Sequence, residues 1–258
     1  MTTLLAGKRL LATGVLTEAS LAAAVVRLAR EQGAEVLLTS PLCRGMPVTA
    51  RVAPRLDVHA EVLELDVTLP EDLAGLERAV RDAGWDRVDG VLHAIAYLPE
   101  ADRSGGFAAA PWDVVGPTLQ TGAWSLAALV HAVRPLLVRG SCVVGLDLDA
   151  GRAWPAQDWL GVAQAGLEAT ARYLARELGP DGVRVNLVAC GPQRTLLARA
   201  LPGRDDLTAA WDARAPLGWD PADRTAVARA AVALLSDWFP ATTGAVFHVD
   251  GGAHAIGA

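Results

Sequence analysis

Short apolar runs alternate along the chain with longer stretches whose apolar residues recur at helical spacing. Such an alternation is typical of a parallel sheet whose buried strands are covered by helices on both faces. The predicted strands are 8–13, 35–39, 61–65, 88–95, 141–146, 183–188 and 245–249. The predicted helices are 20–32, 71–83, 112–137, 154–178 and 222–236, and a loop-rich stretch covers 190–219.

These elements predict one α/β domain over residues 1–258, because no linker, composition break or internal repeat divides them. We expect a Rossmann-type, doubly wound parallel sheet of about seven strands, which binds its ligand at the carboxyl ends of the strands. A short lid around 195–219 is expected over that edge.

Composition and charge exclude several classes of protein. The chain is 52% hydrophobic, which excludes disorder, yet no apolar run reaches the ~18 residues of a membrane span. Residues 1–8 do not resemble a signal peptide, and the net charge of −6 disfavours nucleic acid. Cys43, Cys142 and Cys190 are widely spaced, which favours reduced thiols over a disulfide or metal site. We therefore expect a cytoplasmic protein with no metal, no nucleic-acid partner and no membrane partner.

The turn after the first predicted strand, 13–22, reads TGVLTEASLA and contains a single glycine. Gly14 allows the chain to leave the strand closely, and Ser20 can cap a helix whose N-terminus would face an anion. An ordinary strand-to-helix turn has the same chemistry, so this turn alone leaves cofactor binding open.

Three further strand ends carry groups suited to a dinucleotide. Asp66 follows the third strand, where its carboxylate could accept hydrogen bonds from an adenine amino group. Small residues at 94–96 permit close approach to a ribose, and 191–195 offers a hydroxyl and backbone amides. All of them fall on the edge of the sheet where open α/β folds bind ligands.

Several segments resemble the bacterial enoyl-acyl-carrier-protein reductases of the short-chain dehydrogenase/reductase superfamily, in family order. They include TGVLTEASLA, LELDV, VLHAIAYLP, VVGLDLD, GVRVNLVACGPQRTL and HVDGGAH. The similarity is strongest to the mycobacterial enzymes of the isoniazid-target type and covers residues 4–254. It implies an NAD(H) site, a small-molecule acyl substrate on acyl carrier protein or coenzyme A, and a homotetramer.

By matching positions, the resemblance places cofactor contacts on Gly14, Ser20, Leu21, Asp66, Val67, Ala94, Ile95, Ala96, Gln164, Pro192 and Thr195. Pro41 stands where relatives place an aromatic ring beside the adenine, and Ala96 replaces a glycine. Arg44 could face a 2′-phosphate, although a solvated surface arginine is favoured. NADH is favoured over NADPH.

The resemblance also places the family's catalytic tyrosine and lysine at Gln157 and Gln164. The chain contains one lysine, Lys8, and two tyrosines, Tyr97 and Tyr173, none of which rebuilds that pair. A glutamine amide can donate to a carbonyl oxygen or to ribose hydroxyls, but it supplies no proton near neutral pH.

Other groups could take part in catalysis. Tyr97 is either an aromatic wall of the acyl pocket or a substitute acid, and the wall is favoured. Asp147, Asp149 and Asp158 are nearby polar candidates, although we expect Asp149 to pair with Arg152. His93 is expected to be structural.

Three functions remain open on these residues. The first is a divergent NADH-dependent reductase of an enoyl thioester or a related C=C or C=N bond, in fatty-acyl, polyketide or specialised metabolism. The second is a non-redox cyclase, isomerase or dehydratase. The third is a catalytically inactive subunit that binds the cofactor. The segment 195–211 is shorter than in long-chain relatives, which favours a substrate other than a very long acyl chain.

Overall fold

A computed structural model describes residues 3–41, 46–98, 106–154, 157–199 and 203–257. Cys43 and Arg44 lie outside the described residues. The strands are β1 Arg9–Ala12, β2 Glu35–Ser40, β3 Leu63–Glu64, β4 Val88–His93, β5 Leu137–Leu148, β6 Arg184–Cys190 and β7 Val246–Val249. The helices are α1 Leu21–Glu31, α2 Met46–Val52, α3 Pro70–Asp82, α4 Trp112–Leu119, α5 Ser125–Val133, α6 Asp158–Leu178, α7 Leu196–Arg199, α8 Arg204–Arg214 and α9 Thr225–Leu235.

The strands form one seven-stranded sheet in the order β3-β2-β1-β4-β5-β6-β7, and every pairing is parallel. The predicted fold class is therefore confirmed. Strand order reverses between β1 and β4, since the chain first builds outward to β3 and then returns to start the other half. Such a reversal opens a crevice at the carboxyl ends of the two strands.

Each face of the sheet buries its own apolar cluster. One cluster joins the sheet to α1 and α9, through residues such as Val26 and Val232. The other joins it to α3, α5 and α6, through residues such as Leu129 and Leu167. Because both faces of the sheet are covered by helices, the central strands are continuous apolar runs in the sequence. Among the described residues, no helix is both long enough and apolar enough to cross a membrane.

Several predicted elements have different bounds or a different structure. The predicted helix 112–137 is divided into α4, a π-helical turn at Gln120–Trp124, and α5, followed by a 3₁₀ turn at Arg134–Leu136. The predicted third strand shortens to Leu63–Glu64, and β5 extends beyond 141–146 in both directions. The stretch 190–219, predicted to be loop-rich, contains α7 and α8.

The contact that fixes the switch point lies between Gly14 and Ala94. Gly14 has a φ of +78°, and a Cβ placed there would lie 2.0 Å from the carbonyl oxygen of Ala94. One residue earlier, the hydroxyl of Thr13 accepts a hydrogen bond from the Ala94 amide at 3.0 Å. The turn after β1 can therefore approach the end of β4 only with glycine at position 14.

We expect Gly14→Ala to lower the free energy of unfolding by about 1–3 kcal/mol, because it combines an unfavourable φ with a backbone clash. Gly75→Ala is the matched control, since Gly75 lies inside α3 and a Cβ there meets nothing within 4 Å. The free energy of unfolding of this control should rise by about 0.5–1 kcal/mol, because alanine has a higher helix propensity than glycine. Urea unfolding measures both, and equal stability of Gly14→Ala and the wild type would contradict this account of the turn.

Candidate active site

A cavity of about 180 Å³ lies at the carboxyl ends of β1, β4, β5 and β6, beside the switch point. Its walls come from the turns after these strands, the first turns of α1 and α6, and the segment that contains α7 and α8. The lining residues are Gly14, Leu16, Thr17, Ser20, Leu21, Ala22, Ala94, Ile95, Ala96, Leu146, Asp147, Leu148, Asp149, Gln157, Gln164, Cys190, Pro192, Gln193, Thr195, Leu196, Ala198, Leu207 and Trp211.

The N-terminus of α1 forms one end of this cavity. Ser20 caps the helix, because its hydroxyl accepts the Ala23 amide at 3.3 Å and its own φ and ψ are extended. The first amides of a helix have no partner within the helix, and they carry the positive end of its dipole. This end of the cavity is therefore suited to a phosphate group.

At the other end, the amide of Leu148 joins two buried side chains. It donates to Asp147 Oδ1 at 2.9 Å and to Gln164 Oε1 at 3.3 Å. Asp147 and Gln164 are each only 2% exposed. Among the residues that the structure describes, neither Asp147 Oδ2 nor Gln164 Nε2 has a hydrogen-bond partner. A buried polar atom without a partner is costly, so both atoms fit a site that a ligand completes.

Gln164 reaches this position because α6 packs closely on the π-helical turn. A Cβ on Gly122 would lie 2.9 Å from the Ala163 Cβ and 3.7 Å from Gln164 Nε2. A larger residue at 122 would therefore displace α6 and fill the space beside the amide.

Burial dominates the electrostatics of Asp147. Burial raises the pKa of its carboxyl well above the ordinary value, and the nearby carboxylates of Glu168 and Asp149 raise that pKa further. The hydrogen bond from the Leu148 amide acts in the opposite direction. Asp147 therefore holds a proton at a higher pH than an exposed aspartate does.

Gln157 and Asp158 lie where α6 begins. The Gln157 side chain is buried and lines the cavity, and its backbone carbonyl accepts the Leu160 amide at 2.8 Å. Asp158 is exposed and has a φ of +44°. A non-glycine residue in this region is strained by about 1–3 kcal/mol, and such strain is often found beside functional sites.

The third side of the cavity is formed by the segment after β6. Gln193 is buried and donates from Nε2 to the Asp223 carbonyl at 3.4 Å. Its Oε1 has no partner within the described ranges. Thr195 accepts the Ala198 amide at 3.2 Å and so begins α7. From α8, Leu207 and Trp211 pack over the cavity, and the Trp211 indole donates to the Asp250 carbonyl at 3.0 Å.

The structure brings most of the predicted site residues to the same cavity. They are Gly14, Ser20, Leu21, Ala94, Ile95, Ala96, Gln157, Gln164, Pro192 and Thr195. Asp66 and Val67 are not among the lining residues, and Asp66 Oδ1 accepts from the Thr68 amide and hydroxyl. Tyr97 is also absent from the lining and is 43% exposed.

Two expectations about nearby polar residues have different outcomes. The predicted pair between Asp149 and Arg152 is wrong, because Asp149 instead accepts from Gly151 and Trp154, each at 3.0 Å. Arg152 donates to the His254 carbonyl at 2.7 Å. His93 lies 2.7 Å from the Ser125 hydroxyl and is fully buried, which lowers its pKa to about 4. These contacts fit the structural role that we expected of it.

Sequence reasoning missed Gln193, Leu207, Trp211 and Cys190 as lining residues. The Cys190 thiol is buried beside the Asp147 carbonyl, and burial raises its pKa to about 12, so it is no nucleophile near neutral pH. For α8 a signal existed, because Leu207 and Trp211 are four residues apart and follow Asp205 and Asp206 in the first helical turn.

The chain resembles enoyl reductases along almost its whole length. The family model described as enoyl-(acyl carrier protein) reductase matches residues 14–254. Among the relatives, an NADH enoyl-acyl-carrier-protein reductase of Mycolicibacterium smegmatis is 43% identical over 98% of both chains. One of Mycobacterium avium, also named for NADH, is 40% identical over 98% of both chains.

Relatives named for the other nicotinamide cofactor are also found. An NADPH enoyl-acyl-carrier-protein reductase of Staphylococcus aureus is 32% identical over 94% of this chain and 95% of its own. The family match covers the switch point, the cavity and the closing strand β7. This chain therefore belongs to the enoyl-acyl-carrier-protein reductase family.

Proposed function

We propose that the protein is an oxidoreductase that uses NADH to reduce an activated double bond in an acyl thioester. The proposal rests on two buried atoms, Asp147 Oδ2 and Gln164 Nε2, that have no partner in the described part of the chain. Both lie in a cavity that begins at a capped helix N-terminus. A phosphate site at one end and unsatisfied polar groups at the other fit a dinucleotide with a substrate beside it. The mycobacterial relatives, named for NADH, support this cofactor over NADPH.

The residues that would hold the cofactor follow from this arrangement. The α1 N-terminus behind Ser20 would bind the pyrophosphate, the small residues 94–96 would face a ribose, and Gln164 Nε2 would donate to the nicotinamide ribose. When bound, the dihydronicotinamide supplies a hydride. Pro192 and Thr195 would border its carboxamide.

Gln157 would bind the substrate carbonyl. Its amide lies at the cavity wall where α6 begins, and we place Gln157 and Gln164 at the family's tyrosine and lysine positions. One oriented donor to a developing oxyanion contributes roughly 3 kcal/mol to the stability of the transition state. An amide gives no proton, so in this role Gln157 orients and polarises the thioester while another group supplies the proton.

The substrate is an acyl thioester carried by acyl carrier protein or coenzyme A, in fatty-acyl, polyketide or specialised metabolism. The acyl chain would lie under α8, where Leu207 and Trp211 form an apolar wall. Trp154 packs with these two residues, and Arg152 and Arg214 lie over its ring. The guanidinium carbons of the two arginines are 5.9 Å and 5.3 Å from the ring centroid.

The proposal is tested by NADH oxidation with enoyl thioesters of increasing length. We expect consumption of NADH in a one-to-one ratio with reduced thioester. The double variant Gln157→Tyr/Gln164→Lys should be faster by about 10²-fold, because it gains a proton donor and a cation at the ribose. Calorimetry provides the control, since the wild type should bind NADH whether or not a chosen thioester is a substrate.

Two outcomes would contradict the proposal. Product formed without NADH consumption would indicate a cyclase, isomerase or dehydratase. NADH binding without turnover, in both the wild type and the double variant, would indicate a cofactor-binding subunit.

We also propose that the protein forms a homotetramer. Exposed apolar side chains on α4 and α6 support this assembly. Trp112 is 75% exposed and Tyr173 is 71% exposed, and contiguous exposed apolar surface marks sites of protein–protein contact. Val162 and Tyr173 lie eleven residues apart on α6, about three helical turns, and so share one face.

Light scattering should give a mass near four times the 26.9 kDa chain mass. Val162→Asp with Tyr173→Asp should lower that mass, because charges on a buried interface are costly. Trp238→Asp is the control, since Trp238 is exposed but lies outside α4 and α6. A monomer at every micromolar concentration would exclude the tetramer.

A further inference from the structure

Asp147 is the one titratable side chain among the buried polar groups without partners that line the cavity, within the described residues. The other two such groups, Gln164 Nε2 and Gln193 Oε1, belong to amides, which do not ionise near neutral pH and so cannot act as the acid. The position of Asp147 is fixed, because its Oδ1 accepts the Leu148 amide and leaves Oδ2 as the remaining oxygen.

We infer that Asp147 is the proton donor of this site, with Oδ2 as the donor atom and the Leu148 amide as the group that orients the carboxyl. The inference rests on the reaction proposed above. Gln164 is a positioning residue for Asp147 as well as a cofactor contact, since its Oε1 shares the same Leu148 amide. Gln157 would hold the thioester oxygen, so the two functions of an oxyanion donor and an acid are divided between two side chains.

The chemical step balances with these groups and a dihydronicotinamide. Hydride adds to the β-carbon, the electron pair of the C=C bond moves toward the carbonyl, and an enolate forms on the substrate. The O–H bond at Asp147 Oδ2 then breaks, and its proton forms a C–H bond at the α-carbon. The carboxylate that remains takes a proton from water, and the dihydronicotinamide has been oxidised by two electrons.

The surroundings of Asp147 keep the acid protonated before the step. The titratable groups that face it are Glu168 from α6, Asp149 directly after β5 and the Cys190 thiol from β6. None of these groups is a cation, and Glu168 itself is paired with Arg172 at 3.6 Å. Burial and the two carboxylates all favour the neutral acid.

This arrangement depends on a neutral residue at position 164. A lysine there would place an ammonium beside Asp147, favour the carboxylate, and remove the proton that the step needs. The single variant Gln164→Lys should therefore be slower than the wild type, unless Gln157→Tyr supplies another donor.

The first test is the pH dependence of kcat with saturating NADH and an enoyl thioester. In the wild type, kcat should fall as the pH rises through the Asp147 pKa. Asp147→Asn should lose about 10²-fold in kcat and the dependence on pH, with NADH affinity retained. Asp82→Asn is the control, because it makes the same carboxyl-to-amide change on an exposed side chain at the end of α3, outside the cavity.

The results separate the two proposals. A wild type that reduces no enoyl thioester overturns the proposed function. A wild type that turns over, and whose kcat and pH profile survive in Asp147→Asn, overturns the inference alone.

The second test needs no activity. Infrared spectroscopy at neutral pH should show a protonated carboxyl band in the free protein that is absent from Asp147→Asn and from Gln164→Lys, while Asp82→Asn retains it. The Gln164→Lys arm leaves Asp147 itself in place. A wild type without the band, or a Gln164→Lys variant that keeps it, overturns the inference.

Stability gives a third readout with a defined sign. Because the folded pKa of Asp147 lies above its unfolded value, the stability from burying the neutral acid is complete at low pH and is lost as pH rises through the folded pKa. As pH rises from about 4, the free energy of unfolding of Asp147→Asn should therefore increase relative to that of the wild type. A difference that does not change with pH overturns the inference.

Discussion

The amide of Leu148 has two acceptors, and the chemistry of the cavity follows from how they share it. One N–H at the end of β5 cannot fully satisfy two side chains that are both buried. The amide holds Asp147 through Oδ1 and Gln164 through Oε1. The other polar atoms of these side chains, Asp147 Oδ2 and Gln164 Nε2, therefore remain available to a ligand. The backbone thus creates a pair of oriented polar groups beside the switch point, and burial raises the pKa of the acid in that pair.

The amide at position 164, where an ion pair would have an ammonium, is what separates this pair from an ordinary buried ion pair. A buried carboxylate and ammonium would stabilise each other's charged forms, whereas a buried acid beside an amide remains neutral. Neutral groups also lose less hydration free energy on burial than ions do. The fold can therefore keep both groups in a cavity whose other walls, Leu207 and Trp211 among them, are apolar.

The sequence predicted the parallel sheet, the Gly14 turn and the Ser20 cap, because each depends on local patterns of a few residues. It did not predict the division of 112–137 into two helices around a π-helical turn, since helical periodicity continues through the turn. Nor did it show that Asp66 lies off the cavity, because that depends on where β3 ends and on the local hydrogen bonds of Thr68.

Asp147 shows most clearly what could not be predicted from the sequence. Its position after a strand made it a polar candidate, in the same group as Asp149 and Asp158. The structure separates the three: Asp149 is hydrogen-bonded to Trp154 and Gly151, Asp158 is exposed, and Asp147 keeps a buried oxygen that has no partner among the described residues. These differences arise from the packing of α6 on β5, which brings together residues sixteen positions apart.

The most direct test of this account is a crystal structure of the protein with NADH bound. We expect Gln164 Nε2 within hydrogen-bond distance of a nicotinamide ribose hydroxyl, with the Leu148 amide still shared between Gln164 Oε1 and Asp147 Oδ1. The pyrophosphate should lie at the α1 N-terminus behind Ser20. A bound cofactor that leaves Gln164 Nε2 without a partner, or a Gln164 side chain turned away from Leu148, would contradict the account.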